Sequence, residues 1–448
     1  MSKSRFPHPL VLLVAGALLA AALTHLVPAG EYDRREDPAT GRNVVVAGTY
    51  HPVERNPIGP FGAIVAIPKG MVDAASVIFL VFLVGGAFTV VDQTGALRGG
   101  VDWFASKLQH RKNWMIPVVS LAFATGGALE NLQEEIIPMV PVLVILTRRF
   151  GYDVLVASSI SIGAAIVGSA FSPINPFQVQ IAQKVAAVPL LSGSLFRMLF
   201  LLPAIALWIW GTIRYAKRSP IGNTNEEQAL EQTQFPARSA IILFLVAATF
   251  GVFVYGVLSL GWDFDQMSAL FLIMGVLAGL IGRLGIRGTA EAFVEGFRGM
   301  AYAGVLIGFA RAIYYIMNEG HIIDSIVNAL FIPIAALPVV LSAFGMVVVH
   351  NLIHFPVPSV SGQAVLTMPI LAPLSDLLGL SRQVTILAYQ YGAGLCEMIT
   401  PTNGALMAIL AAAGVSYENW IRFAFPLYLA LSALGLIAIG VGIAVGLK

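Results

Sequence analysis

Apolar residues in this chain fall in long runs separated by short polar segments. Nine runs approach or exceed the ~20 residues that a helix needs to cross a bilayer. They lie roughly at 10–27, 74–94, 153–187, 194–216, 238–260, 267–285, 300–318, 383–412 and 421–446. Two further apolar segments, 113–148 and 333–376, are interrupted at their centres by GGALENLQEE (126–135) and FPVPSVSGQ (355–363). Each half of these segments is too short to span at ~1.5 Å per residue. They read as re-entrant hairpins whose tips meet inside the protein. Two stretches are polar: 28–68, expected to be a compact extramembrane loop, and 217–237, the natural linker between two halves.

This organisation predicts a first span and extracytoplasmic loop over 1–73 and a first repeat over 74–216. The first repeat carries hairpin 113–148 and broken span 153–187. A cytoplasmic linker follows at 217–237. The second half, 238–448, holds its own repeat at about 298–448, with hairpin 333–376 and broken span 383–412. The predicted fold is an all-α polytopic membrane protein of about nine spans.

Composition agrees with the pattern. Hydrophobic residues make up 57% of the 448 and charged residues 11%, against about 25% charged in soluble domains. The bilayer must therefore be the solvent for most of the chain. The single cysteine, Cys396, excludes a disulfide framework and a thiolate metal cluster. Lys3 and Arg5 ahead of an apolar run at Leu10–Leu26 resemble a signal peptide, but no convincing small-residue cleavage site follows, and the run reads as a retained first helix. Basic residues in short loops set orientation. With the N-terminus inside, the inner set holds Lys3, Arg5, Arg98, Lys107, Arg111, Lys112, Arg148, Arg149, Arg214, Lys217, Arg218, Arg238, Arg283, Arg287 and Arg298. The outer side keeps Arg34, Arg35, Arg42 and Arg55 in a long loop, where the rule is weak. The expected location is the cytoplasmic (inner) membrane, with the N-terminus cytoplasmic and, after nine spans, the C-terminus outside.

The two halves repeat one another. SPINPF (172–177) echoes TPTNGA (400–405), and Asn403 follows Asn175 by 228 residues. The same offset relates Pro173 to Pro401, Gly151 to Gly379 and Pro141 to Pro369. KGM (69–71) echoes RGM (298–300) at nearly that spacing. The predicted topology makes the repeats inverted. Inverted repeats with interrupted helices are a transporter design whose site lies at the midplane, where the breaks meet. A channel can share the plan.

Pro173 and Pro176 lie within one apolar span, and Pro401 followed by Gly404 within its partner. Proline breaks the helix, and broken backbone at membrane depth is tolerated only in protein or beside a polar cavity. Freed carbonyls can coordinate a cation, while the half-helix N-terminus beyond the break suits a carboxylate. The candidate cation ligands are Ser172, Asn175, Thr400, Thr402 and Asn403. The candidate substrate ligands are Glu130, Asn131 and Glu134 on the first tip, Ser359, Ser361 and Gln363 on the second, and Asn175, Glu397 and Asn403 at the breaks. The plainer alternative is a pair of proline kinks satisfied by small polar residues, with the tip glutamates solvated at the headgroups. Arg311, inside the span 300–318, binds a substrate carboxylate or pairs within the fold.

His350 and His354 form HNLIH, close to the zinc-protease HExxH, but Asn351 replaces the glutamate that activates water. An intramembrane hydrolase is the rival from another class, and the chain offers no paired nucleophile and base for it. The absence of a GxxxxGK[ST] sequence argues against ATP-driven pumping. No cofactor, metal centre, enzymatic activity or nucleic-acid partner is expected.

On FPHPL (6–10), VPAGEYDR (27–34), FLVGGAF (82–88), SPINPF (172–177), VPSVSGQAVLTMPILAPL (357–374) and ITPTNG (399–404), the chain resembles the YfcC family, relatives of the anaerobic C4-dicarboxylate carriers. The resemblance covers nearly the whole chain. It implies the wider ion-transporter superfamily: homodimers with a scaffold and a mobile transport domain that moves as an elevator. It also implies that the tips and broken-helix loops hold substrate and a coupling cation, Na+ or H+. The family has been linked to basic amino acids and to dicarboxylates. Glu130, Lys184, Glu397 and Gly392-Ala393-Gly394 depart from its usual pattern. Four acids near the proposed cavity (Glu130, Glu134, Glu135 and Glu397) against one embedded base favour an amino acid, a basic one preferred, over a dicarboxylate. A fluorescent reporter that folds only in the cytoplasm should light up on the N-terminus and stay dark on the C-terminus. The reverse pattern would invert every assignment of side.

Overall fold

The computed structural model describes residues 9–37, 42–97, 99, 114–219, 236–260, 262 and 264–447. The linker assignment at 217–237 falls almost wholly outside the described residues, as do Lys3, Arg5, Arg98, Lys107, Arg111 and Lys112. Five described helices are long and apolar enough to cross a membrane: Ala75–Gln93, Ser194–Arg218, Phe264–Ile281, Gly285–Glu319 and Tyr417–Ala444. Two more expected spans are the helices Pro9–Leu26 and Ala237–Leu260, whose apolar stretches are shorter. The remaining two are interrupted, as the prolines demand.

Some boundaries differ from expectation. The run 300–318 is the second half of one 35-residue helix, Gly285–Glu319. Its first half carries enough charge, from Arg287 to Arg298, to hide the helix from a hydropathy reading. Residues 60–68, read as loop, begin a separate helix, Pro60–Asp73, with proline at its first turn, where the missing N–H costs nothing. Gly70 of this helix lies against the backbone of Gly308 and Ala312, so the two helices cross in close contact.

The rest of the 28–59 stretch forms two short antiparallel pairs, Gly30–Glu31 with His51–Pro52 and Arg34–Asp37 with Arg42–Val45. It is tied down across the sequence. Asp324 accepts from the Tyr32 backbone N–H at 3.0 Å and pairs with Arg34 at 2.9 Å. Burial first, and then the Asp324 charge, push the Tyr32 phenol up to about 12, so it stays a neutral donor to Asn328.

Pairs of short helices occupy the two segments expected as hairpins. The first is Met115–Glu130 and Val140–Arg149, joined through a 3-10 turn at Glu134–Met139. The second is Val339–His354 and Val360–Leu377. Each lays its first arm on a broken span, the first on Ala164–Ala170 and the second on Arg382–Cys396. The contacts are backbone-close. A Cβ on Gly168 would collide with the Ala124 carbonyl, and one on Gly127 with that of Ala165. In the second half Gly392 lies against Val347 and His350.

The 228-residue offset reappears in backbone geometry. Gly151 and Gly379 both take positive φ, +77° and +70°. Asp153 and Ser381 each cap the following helix by accepting from the N–H two residues on. Asn175 and Asn403 cap the half-helices after the breaks. Among the buried residues, Leu80, Val84, Phe88 and Val91 of Ala75–Gln93, Met267, Phe271 and Met274 of Phe264–Ile281, and Ile242, Phe253, Ala292 and Phe293 belong to a core separate from the main one. The main core joins hairpins, broken spans and the helices Ser194–Arg218 and Tyr417–Ala444.

Gly168→Ala should push the first hairpin off its broken span and lower stability by about 1–3 kcal/mol. Gly251→Ala, on an exposed helical face with open space around it, should be neutral or stabilising by up to about 1 kcal/mol. Thermal unfolding in detergent compares the two.

Candidate functional site

The first break runs from Ser172 to Asn175, between Ala164–Ala170 and a π-turn at Pro176–Gln180. The second spans Glu397–Asn403, between Arg382–Cys396 and Gly404–Ala413. Each break frees carbonyls that need donors. At the first, Gln390 donates to the Ser172 carbonyl at 2.8 Å, Gln180 to that of Ile174 at 2.8 Å, and Ser194 to that of Pro173 at 3.2 Å. At the second, Trp420 donates to the Met398 carbonyl at 2.8 Å and Tyr417 to that of Ile399 at 2.6 Å. Each of these carbonyls accepts a hydrogen bond from a protein donor.

A cavity of about 670 Å³ opens where the tips and the second break converge. The first tip contributes Asn131, Gln133 and Glu134, the second Pro358, Ser359 and Ser361, and the second break Glu397, Thr402 and Asn403. The opposite wall comes from other helices and their connections: Asp73, Arg311, Trp262 and Phe264. Of the predicted residues, Asn131, Glu134, Ser359, Ser361, Glu397, Thr402 and Asn403 therefore line one space. The side chain of Glu130, and that of Glu135 beside it, lies outside those described.

Four predicted residues do not reach this cavity. Ser172 donates to the Ala128 carbonyl at 2.6 Å and accepts from the Asn175 N–H. Asn175 donates to the Gly127 carbonyl at 2.8 Å, tying the first break to its own hairpin, while its Oδ1 caps Phe177 and Gln178. Thr400 bonds back to the Cys396 carbonyl at 2.7 Å. Gln363 donates to the His350 carbonyl at 2.9 Å and holds the second hairpin's arms together. Each is buried, and its side chain completes a broken helix or closes a hairpin. Thr402 and Asn403 do both jobs: they line the cavity, and they bond to the Phe355 carbonyl at 2.8 Å and to Gln133 at 3.0 Å.

Glu397 is 2% exposed. Gln133 hydrogen-bonds its carboxyl and the charge of Glu134 acts on it, while its Oε2 has no hydrogen-bond partner in the described structure. Arg311 pairs with Asp73 and lies 4.6 Å over the Tyr314 ring, so a fold partner already holds this base. Sequence reasoning missed Asp73, Trp262 and Phe264. Asp73 is one acid at a helix end, 238 residues from its partner, and no local signal links them.

His350 and His354 are fully buried on the first arm of the second hairpin and do not line the cavity. His354 Nδ1 is 3.4 Å from Gln363, and Asn351 bonds Tyr428 at 2.8 Å. No group of three metal-ligating side chains occurs among the described residues.

Comparison with known proteins shows the family of the chain. The chain is 31% identical over 466 aligned positions to "Putative basic amino acid antiporter YfcC" of Escherichia coli (strain K12), covering 93% of this chain and 92% of that one. It is 27% identical over 486 positions to a Haemophilus influenzae (strain ATCC 51907 / DSM 11121 / KW20 / Rd) protein named only as uncharacterized, covering 96% and 95%. Among solved structures, the Alcanivorax borkumensis YdaH transporter matches with 17% identity and a TM-score of 0.44, over 98% of this chain and 99% of that one. A family model described as C4-dicarboxylate anaerobic carrier matches residues 6–444. The chain belongs to the C4-dicarboxylate anaerobic carrier family, and it is a multi-pass membrane transporter, not an enzyme.

Proposed function

We propose that this chain is an ion-coupled secondary active transporter of an amino acid, with a basic amino acid preferred. The observation that carries the reading is the charge of the cavity. Its described lining holds three acids, Asp73, Glu134 and Glu397, and one base, Arg311, which Asp73 already neutralises. A solute with a cationic side chain suits a lining with more acids than bases. The name of the Escherichia coli relative supports the same substrate class.

In this reading the protein works as a homodimer in the cytoplasmic membrane, N-terminus inside. Its hairpins and broken spans are inverted repeats that move together as an elevator against the remaining helices. Two observations support that division: a separate core joins the helices around Ala75–Gln93 and Phe264–Ile281, and the cavity lies between them and the hairpin tips. The coupling ion is Na+ or H+. A second reading, a C4-dicarboxylate carrier, is favoured by the family's own description. A dicarboxylate in this cavity would need added cations to offset Glu134 and Glu397.

Arginine, lysine and ornithine should raise the melting temperature of the purified protein and compete for uptake into liposomes, while succinate and fumarate should not. Stabilisation by the dicarboxylates alone would reverse the choice between the two readings. Glu134→Gln should weaken arginine binding by about tenfold, about 1.4 kcal/mol, measured by calorimetry. Uptake indifferent to both sodium and proton gradients would replace the transporter by a channel.

A further inference from the structure

The two halves differ at one matched position, and that difference assigns a role to Glu397. The 228-residue offset that pairs Asn175 with Asn403 also pairs Ser169 with Glu397, and Gln178 with Leu406. In the first half the matched position is neutral and saturated. Ser169 donates to Asn131 Oδ1 and accepts from Gln178 at 2.7 Å and from Asn175 at 3.3 Å. Gln178 also reaches Asn131 Oδ1 at 3.0 Å. Hairpin tip, break and half-helix thus close on one another without a charge.

In the second half the serine becomes an acid and the donor Gln178 becomes a leucine. Glu397 lines the cavity, is 2% exposed, and leaves Oε2 without a hydrogen-bond partner. Among the described residues, the groups facing it from the packed elements are Gln133 and Glu134 on the first tip, Cys396 beside it, and the Asp73–Arg311 pair across the cavity. The second tip brings the neutral Pro358, Ser359 and Ser361. Arg311 is engaged by Asp73, so the described lining supplies no unpaired cation. A lone buried carboxylate is costly in a low-dielectric site.

We propose that Glu397 is the exchange position of this transporter, holding a proton when the cavity is empty and the cationic group of the substrate when it is filled, one excluding the other. The inference rests on the basic amino acid reading above. On binding, the Glu397 carboxyl O–H bond breaks, the proton leaves to the aqueous phase, and the carboxylate pairs with an ammonium or guanidinium group. The site then carries one positive partner in either state, and neither is released without the other to replace it. Ser169 cannot play this part, so only one of the two matched positions exchanges.

The test uses the full-length protein in detergent with arginine and lysine as probes. Each should release about one proton per bound ligand at acid pH, read with a pH dye. Their affinity should fall as pH falls, by up to about tenfold per unit, because the proton competes. Glu397→Gln, which has the shape of the protonated acid, should lose both the proton release and the pH dependence. Glu397→Asp should keep both, which guards against a folding defect as the cause. Proton release that survives Glu397→Gln, or disappears in Glu134→Gln instead, would overturn the assignment. Infrared titration of the ligand-free protein separates the two levels of the argument. A protonated-carboxyl band lost in Glu397→Gln establishes the proton position whatever the substrate. Binding of succinate but of no cationic amino acid would overturn the basic amino acid reading and the exchange with it.

Discussion

A helix broken at membrane depth must find donors for its freed carbonyls inside the protein, because lipid offers none. Much of this fold answers that requirement. Trp420 and Tyr417, at the start of the last helix, serve Met398 and Ile399. Gln390 of the second broken span serves Ser172 of the first, so the first break is held by the second half. Gln390 in turn accepts from the fully buried Arg197 at 3.0 Å, whose other nitrogens hold Gln383 and the Ser192 carbonyl. A guanidinium among neutral oxygens links the connection after the first broken span to the second broken span without an acid partner in that set.

Close helix approach is the second half of the same solution. Gly127 and Gly168 let the first hairpin lie against its broken span at backbone distance. That brings the Gly127 and Ala128 carbonyls within reach of Asn175 and Ser172. A π-turn at Ser159–Gly163 adjusts the span above this contact, and its Ser159 carbonyl also receives the Trp208 indole at 2.9 Å. The polar residues around the first break are thus consumed by structure. The cavity opens instead beside the second break, where matched polar groups are replaced by a charged one and an apolar one.

Much of the architecture was legible in the sequence. Runs of apolar residues locate the helices because a bilayer requires length and continuity. Prolines at 173, 176 and 401 mark the breaks because proline cannot continue a helix, and the shared 228-residue offset marks matched positions in the two halves. Even the left-handed turns at Gly151 and Gly379 were present as matched glycines. These are local constraints, imposed by a residue on its own backbone or on its immediate solvent.

What only the tertiary structure decided is which polar groups remain for a ligand. Ser172, Asn175, Thr400 and Gln363 have the same chemistry as Ser359, Ser361, Thr402 and Asn403, yet only the second set lines the cavity. The Asp73–Arg311 pair joins positions 238 residues apart, and Trp262 and Phe264 reach the wall from the connection between two helices. A hydrogen-bond donor has a fixed number of bonds to give, and whether the fold spends them depends on neighbours distant in sequence. Glu397 is an acid in the sequence; its isolation from any unpaired cation in the described lining is a property of the packed molecule alone.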